Sequence, residues 1–580
     1  MQHRKLKTML VAVNAKYIHT GLGVRSIAAY VRRETDFEID FSEYTINQHE
    51  QDILESLYQS KADVYLFSCY IWNIEIIMRL VRNLRQLCPD ASIGFGGPQV
   101  GYQGELCLQA NPDVDFVMAG ESEQTVCELI HLMSEGKTLK DCLGVVYREG
   151  NATVANPARL PMPLDALAFA YPDIDELPHR IIYYESMRGC PFACSYCTSS
   201  IERGVRKRSL PLVFTDLAIF LKHHVPQVKF VDRTFNCDKH HARAIWEWLA
   251  THDNGVTNFH FELSGELLDD ETLAYLAGIR PGLFQFEIGV QSTHPETLTE
   301  IDRAANVPHL LAQVCKLLAH GNIHVHLDLI AGLPYESFDR FQSSFNNVYA
   351  CLPNQLQLGF LKILPGSKMA KIAKEYGLAY SQNAPYEILF NQWLDYPQLN
   401  MLRGIAKMVD IYYNSGRFSH MLSYLVPYFS TPFLFYQALW LHYESDAAGN
   451  PVSQIGYYDI LNRFMRQHGI EANEKIQWFA KYDLLSHEKP RKLPVWVSVN
   501  LAQAYRKRIQ AFFMDPIKTA SFLPEYKGIS SMQMERTAHL EIFPFHPGTG
   551  EAGEVAVLFN YKRRDITGLA HACILPADSL

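Results

Sequence analysis

Three cysteines in one short loop constrain this chain more than any other feature of its sequence. Cys190, Cys194 and Cys197 are spaced C-x3-C-x2-C and follow an Arg-Gly pair after the apolar run at residues 181–184. Structural zinc sites and ordinary iron–sulfur clusters take four protein ligands, whereas this loop supplies three thiolates. The spacing therefore predicts an inorganic centre with one open position at the end of a strand. The alternatives are three unconnected core cysteines or a degenerate zinc knuckle, for which no fourth ligand follows at zinc-finger spacing.

The cysteine loop resembles the cluster loop of radical S-adenosylmethionine (radical SAM) enzymes, including the aromatic Tyr196 directly before the last cysteine. The resemblance implies that Cys190, Cys194 and Cys197 hold a [4Fe-4S] cluster, and that the amino-acid end of SAM binds the fourth iron. One electron from the cluster would then split SAM into methionine and a 5′-deoxyadenosyl radical. A small reductant such as flavodoxin or ferredoxin is the expected electron donor.

Residues 1–140 alternate apolar runs with helical patterns. Residues 24–31 place their apolar side chains on one helix face, and Asn73 is expected to cap a second helix that begins at Ile74. Such alternation is typical of a parallel, doubly wound (Rossmann-like) α/β sheet, whose ligands bind beyond the carboxyl ends of the strands. The predicted strands are residues 9–15, 37–41, 64–68, 92–97 and 114–120.

Small and polar residues stand at the predicted strand ends of this domain. They are Ser68, Gly96, Gly97, Gly120 and Glu121. Glycine lets a ligand approach the backbone, and a serine hydroxyl can hydrogen bond to it. The pattern resembles the cobalamin-binding domain that precedes many radical SAM enzymes. The resemblance implies that these residues contact cobalamin, with the serine and the glycine pair lining the groove for its nucleotide tail.

One motif of this domain departs from the cobalamin pattern. Cobalamin domains with the motif D-x-H-x-x-G use its histidine as the lower cobalt ligand, but the window around His19 reads Y-I-H-T-G-L. The aspartate and the final glycine are missing, so we do not assign His19 as a cobalt ligand. The alternative for the whole domain is a scaffold that has lost its ligand.

Residues 141–179 are interpreted as a connector. Residues 144–154 predict a small hairpin that turns at Gly150-Asn151. Prolines at positions 157, 161, 163, 172 and 178 then predict a stiff, extended crossing. We expect this segment to set the spacing between two domains without ordering a core of its own.

Residues 180–382 repeat the strand–helix alternation and carry the cysteine loop. Strands are expected at 228–232, 259–263, 284–290, 325–330 and 356–363, in addition to the strand before Cys190. About six βα units fit the partial, open (β/α)6 TIM-type barrel of the radical SAM family better than a closed barrel of eight units. Active sites of such barrels lie at the carboxyl ends of the strands.

Polar residues at these strand ends are the candidate SAM contacts. The family's glycine-glycine-glutamate, which binds the methionine amino group, is absent, and the resemblance implies that Asp232 or backbone carbonyls substitute for it. Glu262 resembles the carboxylate that holds the ribose hydroxyls. The stretches with Gln291, Arg303 and Asp328 resemble the oxygen-independent coproporphyrinogen oxidase branch of the family. This resemblance implies that Arg303 pairs with the methionine carboxylate, a contact suited to a guanidinium. Gln291 and Asp328 would hold the amino-acid and ribose ends.

Residues 383–580 change character and are expected to form a mainly helical domain with terminal strands at 539–545 and 554–561. A helix with one apolar stripe is predicted from residue 401 to the Asn414-Ser-Gly416 stop. The region resembles an uncharacterised carboxyl-terminal domain of such fused enzymes, including the stretch Y-Y-N-S-G-R-F at 412–418. A dense aromatic group either forms core, which is the commoner case, or lines a pocket. Its members are Tyr424, Tyr428, Phe429, Phe433, Phe435, Tyr436, Trp440 and Tyr443.

Composition excludes several classes of function. The chain has 53 Lys and Arg against 62 Asp and Glu, a net charge of −9, so no general basic field directs it to nucleic acid or an anionic membrane. The apolar run at 9–13 is too short for a signal peptide, and no run reaches the roughly 18 residues of a membrane span. With no signal peptide, the 12 cysteines indicate reduced thiols and a cytoplasmic location.

Together these features predict a cobalamin-dependent radical SAM methyltransferase. By resemblance, methylcobalamin would transfer its methyl group to a substrate radical, and a second SAM would remethylate the reduced cobalt. Two alternatives remain open: a radical rearrangement, cyclisation or oxidation without methyl transfer, and a cofactor-binding sensor without turnover. The sequence does not identify the substrate.

Overall fold

The computed structural model describes residues 5–201, 204–303, 305–447, 449–564 and 568–576. Met1 to Arg4 of the charged start lie outside the described residues. The chain divides into two compact units, of which the first comprises residues 1–341 and 359–399, and the second residues 342–358 and 400–580. No helix among the described residues combines the length and apolar character needed to cross a bilayer.

The first unit begins with the predicted doubly wound sheet. The strands follow the order β2-β1-β3-β4-β5-β6-β7; β1 to β5 run parallel, and β6 and β7 form an antiparallel hairpin at the edge. The strands are β1 Lys7–Asn14, β2 Glu38–Thr45, β3 Val64–Ser68, β4 Ser92–Gly96, β5 Phe116–Met118, β6 Val145–Glu149 and β7 Ala152–Ala155. The helices are α1 Leu22–Glu34, α2 Glu50–Ser60, α3 Ile74–Leu87, α4 Gly104–Ala110 and α5 Glu123–Ser134.

Alternation along the strands gives this sheet a core on each face. Tyr65 and Phe67 belong to the cluster that includes the apolar residues of α2 and α3, whereas Leu66 belongs to the cluster that includes those of α1 and α5. Strands buried on both faces read as continuous apolar runs, as the sequence of β1 and β3 does. The predicted fold class is confirmed for this region.

Asn73 holds the predicted N-cap position of α3, but its side chain does not cap the helix. Its amide donates to the backbone oxygens of Val13 and Ser68 at 3.0 Å each, and its Oδ1 accepts from the Tyr70 N–H at 2.7 Å. The expected capping bond was therefore wrong. The amide instead ties together the ends of β1 and β3, where the ligand edge of the sheet lies.

The connector differs from the prediction in one respect. The hairpin is present, yet it extends the first sheet, since β6 pairs with β5. The proline-rich stretch also orders a small core, in which Met162, Leu164 and Leu167 are buried against Tyr30 of α1. The expectation that this segment orders no core was wrong, because its apolar residues recur between the prolines and pack onto a helix.

A second sheet follows, with the strand order β15-β14-β13-β12-β11-β8 expected of a partial barrel. The pairs from β8 to β14 are parallel. The strands of this region are β8 Ile181–Tyr184, β9 Met187–Cys190, β10 Gly204–Lys207, β11 Gln227–Phe230, β12 Asn258–Leu263, β13 Phe284–Gln291, β14 His324–Ala331, β15 Gln355–Phe360, β16 Ala379–Tyr380 and β17 Ile388–Phe390. The helices are α6 Leu210–Lys222, α7 Lys239–Thr251, α8 Asp270–Leu276, α9 Pro295–Glu300, α10 Val307–Ala319, α11 Phe338–Tyr349 and α12 Lys368–Ile372.

The two faces of the barrel sheet are chemically opposite. Phe230, Phe261 and Phe286 are fully buried and pack on one another and on Trp246 of α7. The alternate residues on the other face are polar or charged. Side chains with this period of two line opposite faces of a strand, so the polar face encloses the barrel interior.

The second unit is mainly helical and ends in an antiparallel sheet of order β18-β19-β20. Its helix at 396–408 continues into a π-helical turn, Val409–Asn414, so the predicted stop at Asn414 is correct although the turn was not foreseen. The elements are α13 Tyr396–Met408, α14 Ser419–Leu425, α15 Pro432–Ala447, α16 Gln454–Gln467, α17 Glu474–His487, α18 Arg506–Met514, α19 Pro516–Phe522, α20 Ser531–Thr537, β18 Ala538–Phe545, β19 Ala552–Arg564 and β20 Ala570–Pro576. Phe433, Phe435 and Tyr436 are fully buried, which favours the core interpretation of the aromatic group.

Candidate active site

The cysteine loop begins inside an antiparallel hairpin that the sequence did not predict. Cys190 is the last residue of β9, and its partner in β10 is Gly204. Backbone hydrogen bonds hold the far side of the loop: the Ser195 N–H donates to the Ile301 oxygen at 2.9 Å, and the Met369 N–H donates to the Ser195 oxygen at 2.8 Å. Backbone hydrogen bonds thus hold the loop at both ends.

Arg303 and Tyr196 lie beside the second cysteine. The Arg303 guanidinium is 3.9 Å from Cys194 Sγ and also donates to the Gly289 oxygen. Burial raises the pKa of the Cys194 thiol, while the charge of Arg303 and hydrogen bonds from Tyr196 and Arg303 oppose that shift. A nearby cation favours the thiolate that binds iron.

The cysteine side chains have different neighbours. Cys190 Sγ lies 3.6 Å from the Thr234 hydroxyl, whereas Cys194 is beside Arg303. Among the residues that the structure describes, no three His, Cys, Asp or Glu side chains are arranged as a single metal ion needs. A [4Fe-4S] cluster imposes a different requirement, because each thiolate binds its own iron. Three thiol donors with an adjacent cation fit such a cluster, and the ligand assignment stays a prediction.

Asp232 has another task than the one predicted for it. It is fully buried, and its carboxylate accepts hydrogen bonds from the Ser186 N–H, the Ser186 hydroxyl and the Met187 N–H. Burial raises the pKa of Asp232 to about 7, against these hydrogen bonds. The carboxylate is occupied by the segment that leads into β9, which favours the backbone carbonyls, the other predicted option, for the SAM amino group; this contact stays a prediction. Asp232 instead anchors the cysteine hairpin to the second strand of the barrel.

The other predicted SAM contacts surround the end of β13. Gln291 follows Gly289 on the polar face, and Gly289 is paired in register with Asp328 of β14. A Cβ on residue 289 would collide with Gln291 Nε2 and lie in ordinary contact, at 3.7 Å, with Arg303 Nη2, so the glycine leaves room for the Gln291 amide.

Buried polar atoms at this strand end lack partners. Gln291 Oε1, Arg303 Nε and Asp328 Oδ1 have no hydrogen bond within the described part of the chain. Unpaired buried polar atoms are costly and point to a missing ligand. An acceptor, a cationic donor and a carboxyl suit the amino, carboxylate and hydroxyl groups of SAM, so the residues fit that cofactor.

A half-buried charge network lies deeper in the barrel. Lys229 Nζ is 3.1 Å from Glu287 and 3.7 Å from Glu262, and His260 Nε2 is 3.2 Å from Glu287. Burial would raise the pKa of Glu287, yet His260 and Lys229 lower it to about 2. Burial together with Glu287 and Glu262 raises the pKa of Asp328 to about 8. At neutral pH Asp328 is therefore mostly protonated and able to donate a hydrogen bond.

A cavity of about 640 Å³ lies between the two sheets of the first unit. Its walls come from the first domain, the connector and the barrel; they include Tyr70, Phe169, Tyr183 and the predicted ribose contact Glu262. His19 also lines it, with Nδ1 2.7 Å from the Tyr183 hydroxyl. His19 remains unassigned as a cobalt ligand.

A second cavity of about 270 Å³ adjoins the first and contains all the predicted cobalamin contacts. Ser68, Gly96, Gly97, Gly120 and Glu121 line it. Gly120 has a φ of 79°, and a Cβ built there meets no atom within 4 Å. The groove is therefore open at this glycine because the side chain is absent. These residues fit a large ligand that is held mainly through backbone, as the nucleotide tail of cobalamin would be.

Several residues of the site were missed by the sequence reasoning. Lys229, Glu287 and Tyr183 belong to the barrel interior. The period-two alternation of β13 and β14 was the signal that could have found Glu287, together with His324 and His326 on the same face. Arg188 and Arg206 beside the cysteine loop had no such signal, because their partners are distant in sequence.

Models of three families match the chain. The B12 binding domain matches residues 9–130, the Radical SAM superfamily matches residues 184–348, and a protein family of unknown function, DUF4080, matches residues 374–559. The chain therefore contains a B12-binding domain followed by a radical SAM domain. The expected family and the cofactor set of a [4Fe-4S] cluster, SAM and cobalamin are thereby confirmed.

Curated relatives and solved structures extend this result. The radical SAM enzyme is 24% identical over 376 residues to the uncharacterized methyltransferase PH0819 of Pyrococcus horikoshii, covering 62% of this chain and 80% of the relative. It is 26% identical over 340 residues to the cobalamin-dependent radical SAM methyltransferase TokK of Streptomyces tokunonensis, covering 54% of this chain and 49% of TokK. It therefore spans about half the length of TokK.

The cobalamin-dependent SAM radical enzyme OxsB, solved with aqua-cobalamin and SAM, superposes with a TM-score of 0.59 at 14% identity. The match covers 88% of this chain and 81% of OxsB. At this identity the likeness concerns the fold alone.

Proposed function

We propose that this radical SAM enzyme transfers a methyl group from SAM to an unactivated carbon of a small-molecule substrate, with cobalamin as the methyl carrier. PH0819 and TokK, which are methyltransferases by name, support methyl transfer. A low-potential donor such as flavodoxin or ferredoxin and a cytoplasmic location belong to the same proposal. So does the division of the chain at residues 1–140, 141–179, 180–382 and 383–580.

The adjoining cavities are the observation that carries this proposal. The smaller one is lined by strand ends of the first sheet, and the larger one is lined by both sheets. Gly23, Tyr70, Pro98, Tyr102, Glu123 and Arg188 line both of them. A methyl carrier in the smaller cavity would thus face the barrel across the space left for a substrate.

The chain's own residues bind and orient the reactants in this scheme. When bound, the cluster supplies one electron to SAM, and cobalamin supplies a transferable methyl group. Arg303, Gln291 and Asp328 would hold the amino-acid and ribose ends of the SAM that is cleaved. The aromatic side chains of Tyr70, Tyr102 and Phe169 in the cavity wall would exclude water from the reacting carbon.

The overall reaction balances with two molecules of SAM and two electrons. One carbon–hydrogen bond of the substrate breaks, its hydrogen goes to 5′-deoxyadenosine, and a carbon–methyl bond replaces it. One SAM yields methionine and 5′-deoxyadenosine, and the other yields the methyl group and S-adenosylhomocysteine. The electrons come from the external low-potential donor and neutralise the two sulfonium charges.

The test uses the full chain, reconstituted anaerobically with iron, sulfide and hydroxocobalamin, and methyl-labelled SAM with a strong reductant. We expect 5′-deoxyadenosine together with label on cobalamin, and label on a product once cell metabolites are added as candidate substrates. Cleavage of SAM with neither methyl-labelled cobalamin nor labelled product would favour a non-methylating radical reaction. Failure to form 5′-deoxyadenosine with a loaded cluster would contradict the proposal and favour a sensor.

A further inference from the structure

Two arginines face each other in the hairpin that carries the first cysteine. Arg188 of β9 and Arg206 of β10 are direct partners in the register, two residues from the Cys190–Gly204 pair. Like charges directly opposite each other destabilise an antiparallel pair. The hairpin therefore needs carboxylates at this position, and its own strands supply none.

Carboxylates that follow β5 of the cobalamin-binding domain provide this compensation. Glu121 accepts a hydrogen bond from Arg206 and lies 3.4 Å from Arg188, while Glu123 lies 3.0 Å from Arg188. Glu185, just before the hairpin, is 2.7 Å from Arg188. We call Arg188, Arg206, Glu121, Glu123 and Glu185 the arginine clasp.

The clasp is sheltered from solvent. The side chains of Glu123 and Arg188 are 6% and 19% exposed. The Ser26 hydroxyl of α1 donates to Glu123, and the Met162 N–H of the connector donates to Glu121. Burial would raise the pKa of Glu123, but the charge of Arg188 lowers it. Removing one partner of a buried pair is strongly destabilising, because the other charge is left uncompensated.

Residues of the clasp also line both cavities. Gly120, Glu121 and Glu123 line the smaller cavity, and Arg188 lines both the smaller and the larger one. A ligand in the smaller cavity would therefore touch the same backbone segment, residues 120–123, that holds the cysteine hairpin. Arg188 connects the groove to the cysteine loop, because it pairs with Glu123 and lies two residues before Cys190 on β9.

We propose that Arg188 is a positioning residue: it fixes the cluster loop against the cobalamin groove, so that cobalamin and the cluster strengthen each other's binding and are held at one distance. This rests on the proposed function only in that both cofactors bind to this chain. Because coupling between two sites is reciprocal, ordering of the hairpin by the cluster must favour cobalamin by the same factor as the reverse.

The experiment measures the affinity of the full chain for hydroxocobalamin, with and without the reconstituted cluster. In the wild-type chain we expect the cluster to strengthen cobalamin binding about fivefold or more. In Arg188→Met the two affinities should be equal, and Arg188→Lys should restore part of the difference, since it keeps the charge but loses the forked geometry. Arg280→Met, which breaks a pair with Asp253 away from both cavities, is the matched control and should keep the wild-type ratio.

A second readout reports position directly. Pulsed electron paramagnetic resonance between reduced cobalamin and the reduced cluster should give a narrow distance distribution in the wild-type chain and a broad one in Arg188→Met. If Arg188→Met does not fold, Glu123→Gln removes the same charge pair with little change in size and is expected to give the same result.

The outcomes separate the two proposals. A wild-type chain that binds no cobalamin or no cluster contradicts the proposed function. A wild-type chain that binds both, but shows equal cobalamin affinities or a distance distribution that Arg188→Met leaves unchanged, overturns the role of Arg188 alone.

Discussion

The two parallel sheets of the first unit meet their ligands in opposite ways. At the ligand edge of the cobalamin-binding sheet most side chains are small or absent, apart from Glu121 and Glu123, and a groove is left between backbone segments. At the ligand edge of the barrel sheet and below it, the side chains are polar or charged and half-buried. The contrasting residues are Ser68, Gly96, Gly97 and Gly120 in the first sheet, and Lys229, Glu262, Glu287, Gln291 and Asp328 in the second.

The difference follows from what each edge would hold. A large cofactor offers many groups over a wide area, so contact with backbone is sufficient and side chains would obstruct it. SAM is small and carries a sulfonium, an ammonium and a carboxylate, so a few placed charges must orient it. We therefore expect substitutions to separate cleanly: filling the first edge should affect cobalamin, and neutralising the second should affect SAM.

The largest effect should come from the cysteine loop. Replacing Cys190, Cys194 and Cys197 together by alanine removes every predicted iron ligand, so iron content and SAM cleavage should fall below detection in anaerobic protein. Hydroxocobalamin should still bind, with the affinity of the cluster-free wild-type chain, because its groove is made by the other sheet. The exposed Cys315→Ser on α10 serves as the control. Persistent SAM cleavage, or zinc in place of iron after reconstitution, would refute the cluster assignment.

The next largest effect is expected at the ligand edge of the cobalamin-binding sheet, where Gly120 lies. Gly120→Leu should place a side chain in the groove and weaken hydroxocobalamin binding by about a hundredfold, a loss of roughly 2.7 kcal/mol, while SAM cleavage continues. Gly136→Leu is a close control, since Gly136 also has a positive φ, of 66°, and open space around its Cβ position, but it lies outside both cavities. Equal cobalamin affinities in the two variants would mean that the groove is not the binding site.

A smaller effect is expected in the barrel, at the predicted SAM contact Arg303. Arg303→Met removes a charge-assisted contact worth about 1.5–3 kcal/mol, so SAM should bind about 10- to 100-fold more weakly, as measured by equilibrium dialysis. Cobalamin affinity should not change. Arg303→Lys should recover part of the SAM affinity, and Arg280→Met should behave as wild type. Unchanged SAM affinity in Arg303→Met would place the methionine carboxylate elsewhere.

The sequence was sufficient for what local patterns encode. Both sheets could be predicted from alternating runs, and the candidate edges from the residues that end them. Ser68 and Gly97 are at an edge because β3 and β4 end there. Arg303 could be predicted only by resemblance, since it follows α9 and reaches the site through the fold.

The misses at Asp232 and at the arginine clasp share one physical cause, which is that the partner of a polar group is distant in the chain. Asp232 looked free because its donors, Ser186 and Met187, lie on another segment that only the folded barrel brings close. The arginine clasp joins residues 120–123 to the hairpin at 188 and 206, and no periodicity encodes such a contact. The period-two alternation in β14, by contrast, can be recognised in the sequence, and it predicts that Asp328 shares a face with His324 and His326.

The smallest effect concerns that buried carboxyl. Burial, Glu287 and Glu262 raise the pKa of Asp328 to about 8, whereas an unfolded aspartate has a pKa of about 3.9. Between these values the folded chain binds more protons than the unfolded chain, so the contribution of Asp328 to stability is complete below about pH 4 and is lost as the pH rises through 8. Asp328→Asn carries no such charge. The apparent melting temperature of SAM-free protein should therefore fall more steeply from pH 6 to pH 9 in the wild type than in Asp328→Asn, by about 2–4 °C.

The control for this comparison is Asp90→Asn, which changes an exposed aspartate and should reproduce the wild-type slope. The same titration also separates the two ligand edges, because it should change the affinity for SAM and leave the affinity for cobalamin unchanged. A protonated Asp328 can donate to a ribose hydroxyl, whereas the carboxylates beside the cobalamin groove, Glu121 and Glu123, are already paired with Arg206 and Arg188. SAM affinity should accordingly weaken above pH 8 in the wild type, while cobalamin affinity stays level. Parallel pH profiles for the two ligands would mean that a group common to both sites, and not Asp328, determines how SAM affinity depends on pH.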